Sequence, residues 1–143
     1  MIENIPMPGI NDFDKTFWLN CSNNLLSIQH CDACDEPRFP PRHMCPHCQS
    51  IDHKWKIICG SGHLWSYVIP RKPLLPYFEK QSPYVVGLVE LDGYQNIRMI
   101  GRIMSANKNN EIDIATISIG SKVLVGFNKL NSDISIPFWY LES

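Results

Sequence analysis

Four cysteines in two Cys-x-x-Cys pairs are the residues of this chain with the most recognisable chemistry. Cys31 and Cys34 form the first pair, Cys45 and Cys48 form the second, and ten residues separate the pairs. This ligand number and spacing is typical of a structural Zn²⁺ site, in which each pair folds as a tight turn that directs both thiolates at one ion. Four thiolates complete a tetrahedral coordination sphere and leave no open position for a substrate. The pattern therefore predicts Zn²⁺ bound by all four cysteines in a structural role.

The segments around the cysteines must bring the two pairs together. Residues 35–44 contain three prolines, which disfavour a helix and favour an extended excursion between two metal-binding turns, as in a zinc ribbon. Ahead of the first pair, Leu26, Ile28 and His30 occupy one face of an alternating pattern. That pattern predicts a strand that leads directly into the first cysteine.

A short amphipathic helix is predicted upstream of the ribbon, with Asn11 or Asp12 as its cap. Its apolar face comprises Phe13, Phe17, Trp18 and Cys21. So short a helix is unstable alone, and its aromatic stripe must therefore pack against another surface. Two surfaces stay open: the core of the protein itself and a partner protein.

Downstream of the cysteines the sequence is rich in strands. Gly60 and Gly62 predict a hairpin between residues 55–59 and 63–69, and four prolines make residues 70–83 a loop. Residues 84–91 are apolar on both faces, which predicts a strand that is covered on both sides. Further strands are predicted at residues 97–104, 121–127 and 134–140.

About five strands over about 85 residues favour a small closed antiparallel barrel, and the OB-fold is the commonest barrel of this size. An open meander is the competing topology. The predicted fold class is mainly β, with a short N-terminal helix, a zinc ribbon and then a five-stranded OB-fold barrel. The corresponding parts are a helical segment at residues 1–24, the ribbon at 25–52 and the barrel domain at 53–143.

Composition and charge exclude some functions. The chain has 143 residues, with 13 basic and 14 acidic side chains and a formal net charge of −1. Four thiolates and one Zn²⁺ would bring the net charge to about −3. Such a balance provides no general attraction to nucleic acids or anionic membranes. No apolar run approaches the roughly 18 residues that span a bilayer, and no secretory signal pattern is visible, so we expect a cytoplasmic location. A reducing compartment favours metal binding over disulfides at paired cysteines.

Cationic side chains of the barrel region are the candidate ligand-binding residues. Arg71, Lys72, Arg98 and Arg102 could line a groove for a phosphorylated ligand such as coenzyme A (CoA). Arg98 and Arg102 share one strand face because they are an even number of residues apart. The alternative is that these residues cover a solvated barrel exterior.

No catalytic residue is predicted. The remaining cysteines, Cys21 and Cys59, are expected to be buried and inert, because no His–Asn or His–Asp constellation can be identified around either one. The sequence also lacks a phosphate-binding loop, a dinucleotide-binding fingerprint, a Gly-x-Ser-x-Gly motif and a His-Glu-x-x-His motif.

The order of motifs resembles that of a known family. These motifs are a helix carrying Phe17-Trp18, the first cysteine pair at the end of a strand, Arg38-Phe39-Pro40-Pro41-Arg42 before the second pair, Gly60-x-Gly62 ahead of Trp65-Ser66-Tyr67, Pro83-Tyr84-Val85-Val86, Gly101-Arg102, and Ile119-Gly120 before a valine-rich strand. From about residue 13 to its end, the chain resembles the zinc-ribbon/OB-fold family catalogued as domain of unknown function 35 (DUF35).

The resemblance implies a rubredoxin-like ribbon joined to an OB-fold, with no catalytic centre of its own. It also implies an accessory subunit that binds a thiolase-fold enzyme, or a related acyl-CoA hydratase or aldolase, and helps to hold the CoA moiety of acyl-CoA. A homodimer stays open. The alternative function is single-stranded nucleic-acid binding, which both OB-folds and zinc ribbons can perform but which the charge balance opposes.

Overall fold

Two β-sheets form the framework of the protein. The computed structural model describes residues 5–109 and 112–142. Their elements are α1 (Lys15–Ser22), β1 (Leu26–Cys31), β2 (Pro37–Arg38), β3 (His53–Ile58), β4 (Ser61–Val68), α2 (Pro76–Glu79), β5 (Val85–Leu91), β6 (Arg98–Met104), a 3₁₀ turn (Ile114–Thr116), β7 (Lys122–Lys129) and β8 (Ser135–Leu141). Among the described residues, no helix has both the length and the apolar character that crossing a bilayer would require.

The first sheet contains three antiparallel strands in the order β2-β1-β3. The pairing of β1 with β3 runs from Leu26 opposite Ile58 to Cys31 opposite His53. The predicted hairpin between residues 55–59 and 63–69 is therefore wrong, because β3 pairs in the ribbon sheet and β4 in the second sheet. Gly60, at φ +74°, lies at the crossing between the two sheets. The boundaries between the three parts, at residues 24/25 and 52/53, stay predictions. They place β3 in the barrel domain, although this strand pairs with β1 in the ribbon sheet.

The second sheet closes into a barrel with the strand order β4-β5-β6-β8-β7, and β7 pairs back onto β4. The neighbouring strands are antiparallel except for β6 and β8, whose parallel pairing covers only Ile103 opposite Trp139 and Met104 opposite Tyr140. Closure leaves no strand of this sheet at an exposed edge. In an open sheet, edge strands rich in β-branched residues would present unpaired backbone groups to solvent. The predicted fold class, with a short helix, a zinc ribbon and a five-stranded OB-fold barrel, is confirmed.

Strand β5 shows how the barrel core is filled. Val85, Val89 and Leu91 are buried inside, whereas the intervening Val86 and Leu88 point outward and are only partly buried. The expectation that both faces of this strand are covered is therefore wrong for the outer face. The apolar residues on that face leave a partly exposed surface on the outside of the barrel.

Helix α1 connects the two sheets. It begins at Lys15, with Asp14 rather than Asn11 or Asp12 at its N-cap, and the side chain of Asp14 makes no cap hydrogen bond. Phe17 and Cys21 are buried against the core of the protein. The stripe therefore packs within the chain, although Leu19 on the same helix remains 60% exposed.

Hydrogen bonds hold α1 to both sheets. The Asn20 side-chain amide donates to Ser27 Oγ of β1 at 2.9 Å. Ser22 Oγ donates to the carbonyl of Asp133, just ahead of β8, at 2.7 Å. These bonds orient the ribbon relative to the barrel through the helix between them.

The close approach of β4 and β5 at Gly62 provides a stability test. A Cβ at this position would lie 2.5 Å from the backbone oxygen of Glu90, whereas a Cβ at Gly9 would meet nothing within 4 Å. We expect Gly62→Ala to lower the free energy of unfolding by about 1–3 kcal/mol, because backbone atoms cannot move aside. Gly9→Ala should leave it unchanged. Urea unfolding followed by circular dichroism measures both, and equal stability of the two variants would contradict the packing described.

Candidate metal centre and apolar groove

The four predicted ligand cysteines meet at one point in the structure. Their Sγ atoms all lie within 4.8 Å of one another. Cys31 and Cys48 are separated by 3.5 Å and Cys34 and Cys45 by 3.7 Å, measured between sulfurs. A tetrahedral zinc with Zn–S bonds of about 2.3 Å places its sulfurs about 3.8 Å apart, so the donor set and its spacing fit Zn²⁺. Structural zinc as the cofactor is confirmed, and the described residues contain no other group with this metal-binding potential.

The two cysteine turns have the same backbone design. In the first, the amide of Asp35 donates to the carbonyl of Cys31, and in the second the amide of Gln49 donates to that of Cys45. Asp35 and Gln49 both adopt left-handed conformations, with φ of 61° and 65°. This conformation costs a non-glycine residue about 1–2 kcal/mol, so the surrounding turn must impose it. The sequence shows no glycine that would have marked these positions.

Backbone amides favour the thiolate form at the first cysteine of each pair, whereas burial and contacts with the other sulfurs raise the pKa of Cys34 and Cys48. Hydrogen bonding from the N–H of Cys34 lowers the pKa of the Cys31 thiol to about 6. In the same way, the N–H of Cys48 lowers the pKa of Cys45. The thiolate is the form that binds metal. These bonds therefore lower the free-energy cost of deprotonating Cys31 and Cys45 when zinc binds at neutral pH.

A buried glutamine holds the proline-rich spacer between the cysteine pairs. Gln29 Oε1 accepts hydrogen bonds from Arg38 Nε at 2.7 Å and from the backbone amide of Arg42 at 2.8 Å. Arg38 Nη2 in turn donates to the carbonyl of Arg42 at 3.0 Å. Gln29 is fully buried and Arg38 is 5% exposed, so these bonds form away from solvent. The alternating pattern did not reveal this role, because both faces of β1 are covered.

The ribbon contacts both the helix and the barrel. Phe39 of the spacer packs against Phe17 of α1, with ring centroids 5.5 Å apart. The buried His30 of β1 meets Tyr94 of the β5–β6 loop edge-on, with ring centroids 5.7 Å apart. The zinc-held segment is thereby fixed in one orientation against the other two parts of the protein.

A groove of about 500 Å³ lies where these parts meet. It is lined by Phe17 and Trp18 of α1, Phe39 of the spacer, Phe78 of α2, Ile100 of β6 and Phe138 of β8, among others. Arg102 of β6 is the one charged side chain among the described residues that line it. The sequence motifs of the spacer and of the helix gave no indication that they would share a cavity wall.

Arg102 is held in place from two sides. Its Nη2 donates to Gln81 Oε1 at 2.7 Å, and its guanidinium carbon lies 4.1 Å from the ring centroid of Tyr84. Burial lowers the pKa of Arg102 relative to an exposed arginine. An arginine remains a cation in a protein, so the groove contains one fixed positive charge.

The other three predicted ligand-binding cations are not part of the groove lining. Arg98 pairs with Glu90 at 3.4 Å and stacks over the ring of Trp65 at 3.9 Å. Lys72 pairs with Glu79 at 3.1 Å, and its neighbour Arg71 is exposed on the same loop. The prediction that Arg98 and Arg102 share one strand face agrees with the structure, in which Met99 and Ile103 on the opposite face are buried, but the surroundings of the two arginines differ. A ligand-binding role for any of the four stays a prediction.

The two remaining cysteines differ from each other. Cys21 is buried, and burial raises the pKa of its thiol to about 12, as expected for an inert packing residue. Cys59 is exposed, so the expectation that it is buried is wrong. Its Sγ lies 3.3 Å from Ser61 Oγ, and hydrogen bonds from Ser61 lower the pKa of the thiol.

A four-cysteine ribbon sheet followed by a closed five-stranded barrel defines a zinc-ribbon/OB-fold protein. Residues 26–52 match the family model described as the rubredoxin-like zinc ribbon domain of ChsH2, and residues 55–128 match that of the ChsH2 C-terminal OB-fold domain. The chain belongs to this zinc-ribbon/OB-fold family, DUF35, and the resemblance noted in its sequence is confirmed.

Two described proteins are similar in sequence to this chain. The chain is 33% identical over 133 residues to a probable enoyl-CoA hydratase alpha subunit of Thermomonospora curvata; the match covers 92% of this chain but only 38% of that protein. It is 29% identical over 108 residues to a DUF35 domain-containing scaffold protein of Methanocaldococcus jannaschii, covering 72% of this chain and 67% of the relative.

Two solved structures share the fold. A chain of the structure described as "Ltp2-ChsH2(DUF35) aldolase" is 30% identical, with a TM-score of 0.81 and coverage of 94% of this chain and 98% of that one. A DUF35 protein of unknown function from Sulfolobus solfataricus has a TM-score of 0.60 at 13% identity, covering 92% of this chain and 87% of its own, and shows the fold alone.

The assignment of the zinc ligands can be tested by substitution. We expect Cys34→Ser and Cys45→Ser to reduce the amount of bound zinc to well below one ion per chain, because each substitution removes one of the four thiolates. Cys59→Ser is the matched control, since this exposed cysteine lies outside the cluster. Metal analysis after gel filtration gives the stoichiometry, and the visible spectrum of the Co²⁺-substituted protein reports thiolate coordination. Full zinc content and an unchanged Co²⁺ spectrum in Cys45→Ser would contradict the assignment.

Proposed function

We propose that this chain is a non-catalytic accessory subunit that binds an acyl-CoA-processing enzyme and helps to hold its acyl-CoA substrate. In its finer form, the proposal names a thiolase-fold enzyme as the partner. The printed names of the relatives support the broader class, since they include a hydratase subunit, a scaffold protein and an aldolase complex. The chain spans 38% of the hydratase subunit, so that protein's activity is carried over here only as part of this proposal.

The observation that carries the proposal is an apolar surface on the outside of the barrel, across β4, β5 and β6. Trp65, Val68 and Ile100 are 48%, 61% and 66% exposed. Strand pairing places Val68 beside Val86 and Ile100 beside Leu88. We call these five residues the outer apolar face. Contiguous exposed apolar side chains of this kind mark protein–protein contacts, because leaving them in water is unfavourable.

The chemistry of the polar clusters supports a non-catalytic role. The zinc site has four thiolates and therefore no open position. His63 Nδ1 lies 2.8 Å from Asp92 Oδ1, and Ser61 Oγ donates to Asp92 Oδ2 at 2.8 Å. In a hydrolytic triad the histidine lies between the serine and the carboxylate, whereas here the carboxylate lies between the other two. This arrangement does not activate the serine as a nucleophile.

The charge distribution disfavours the nucleic-acid alternative. On the barrel, Arg98 pairs with Glu90 and Lys122 with Glu142. Cations that are neutralised by neighbouring carboxylates contribute little to phosphate binding, and the formal net charge of −1 offers no excess. The apolar character of the outer face is also better suited to a protein than to a phosphate backbone.

The proposed complex can be tested with a matched pair of surface variants. Val68 on the outer apolar face and Ile119 ahead of β7 are both 61% exposed. We expect the chain, co-expressed in turn with a thiolase-fold enzyme, an enoyl-CoA hydratase and an aldolase of its own organism, to co-elute with one of them in size-exclusion chromatography with light scattering. Val68→Asp should weaken that complex at least about tenfold, because a carboxylate would lose its water at the interface, and Ile119→Asp should not.

Two results would contradict this account. Failure to co-elute with any of the enzymes would remove the support for an accessory subunit. A particle containing two copies of this chain and no enzyme, dissociated by Val68→Asp, would assign the outer apolar face to a homodimer instead.

A further inference from the structure

We propose that the outer edge of β3 is a docking site for an extended segment of a partner protein, which has carboxylates at alternate positions and apolar side chains between them. The segment would pair with β3 as an antiparallel fourth strand of the ribbon sheet. This inference goes beyond the proposed function and does not rest on it, because the outer apolar face lies on the barrel.

The ribbon sheet, unlike the barrel, has open edges. β3 is the last strand in the order β2-β1-β3, and β1 is its only neighbour among the described strands. β2, at the other end of the sheet, has two residues, whereas β3 has six. A strand of that length at an edge presents a row of unpaired backbone groups, to which an extended peptide can add.

Every second residue of β3 directs its backbone groups away from β1. In an antiparallel pair, the N–H and C=O groups of a strand point alternately toward its partner and away from it. The amide of Asp32 donates to the carbonyl of Asp52, just ahead of β3, and this bond fixes the alternation. The main chains of Trp55 and Ile57 therefore point outward. No other residue in the described part of the chain forms a hydrogen bond with either of them.

The side chains of β3 differ between the two faces of the sheet. Trp55 and Ile57 share one face, on which Ile57 is 52% exposed. Lys54 and Lys56 share the other face, and each lysine side chain is 42% exposed. Both lysines pair with Asp35, at 3.0 and 3.1 Å, and no other carboxylate of the described residues pairs with either. Two positive charges thus share one negative charge, which leaves a carboxylate from outside a cation to pair with.

This charge pattern disfavours a second copy of the chain as the occupant. In every antiparallel self-pairing that includes Trp55, a lysine of β3 would lie directly opposite a lysine of the other copy. Like charges in that position are destabilising, and lysines on an edge strand are a common protection against self-association. A segment with carboxylates opposite the two lysines, and apolar side chains opposite Trp55 and Ile57, is complementary to β3 on both faces.

The test titrates the zinc-loaded full chain with the peptide acetyl-Ser-Val-Glu-Val-Glu-Val-Ser-amide and follows amide hydrogen exchange by NMR. We expect the amides of Trp55 and Ile57 to exchange at least about tenfold more slowly when the peptide is bound, because each gains an acceptor. The amide of Lys56 already bonds to β1 and should change little. Absence of binding at millimolar peptide, or binding without protection of Trp55 and Ile57, would overturn the proposal.

Methylated peptides separate strand pairing from attraction between charges. In the proposed register the valine amides face β3 and the glutamate amides face solvent. N-methylation of the valines should therefore abolish binding, whereas N-methylation of the glutamates should preserve it. A peptide with lysine in place of glutamate should not bind. Equal binding of the two methylated peptides would overturn the proposal.

A proline variant tests the backbone of the edge itself. Ile57→Pro removes an outward N–H without removing a bond to β1, and proline is tolerated at such edge positions. It should weaken peptide binding at least about tenfold, because a peptide carbonyl loses its donor. Ile57→Ala keeps the amide and should weaken binding less. Equal weakening by the two variants would overturn backbone pairing, and the methylated peptides decide the same question if Ile57→Pro does not fold.

A charge variant tests the preference for carboxylates. Lys56 is chosen rather than Lys54, because the carboxylate of Asp32 and the thiolate of Cys31 also attract Lys54. Lys56→Gln should weaken binding of the glutamate peptide, whereas Lys122→Gln removes an equal charge from β7 and should leave it unchanged. Equal effects of the two variants would overturn the assignment. A homodimer that Ile57→Pro dissociates, detected by light scattering, would assign the edge to a second copy instead.

Discussion

Convergence of four thiolates on one metal is the constraint on which the rest of the structure depends. The ribbon sheet has only three strands, one of them two residues long, and a segment of that size has little apolar surface of its own to bury. Metal binding therefore contributes directly to the folding of the ribbon. The two cysteine turns fix both ends of the proline-rich spacer, and Gln29 fixes its middle through Arg38 and the backbone of Arg42. Zinc thus determines where Phe39 lies, although Phe39 is no ligand.

The position of Phe39 connects the metal to the groove. Phe39 packs on Phe17 of α1, and both rings line the cavity whose other walls come from the barrel. The outer apolar face depends on different contacts, because it lies on β4, β5 and β6 of a sheet that closes on itself. The two surfaces are continuous, because Val86 and Ile100 of the outer apolar face also line the groove. The ribbon contributes Phe39 to the groove, whereas the outer apolar face consists of barrel residues alone.

Local patterns in the sequence predicted what local physics determines. The spacing of the cysteines specified the metal site, and alternation and turn residues specified the barrel strands. Pairing partners are not local, and for this reason the sequence predicts a hairpin of β3 with β4 although β3 pairs with β1. The shared strand face of Arg98 and Arg102 followed from strand geometry. The different surroundings of the two arginines could not be predicted, because their neighbours come from other segments of the chain. Arg98 lies beside Trp65 and Glu90. Arg102 lies beside Gln81 and Tyr84. The groove could not be predicted for the same reason, since four distant segments build it.

The central claim is that zinc holds the ribbon in place while the barrel keeps its own structure, and hydrogen exchange of the zinc-loaded and chelated protein tests it most directly. We expect chelation to raise exchange in β1, β2, β3 and α1, while β4 to β8 keep their protection. Loss of protection in both sheets together would contradict this claim.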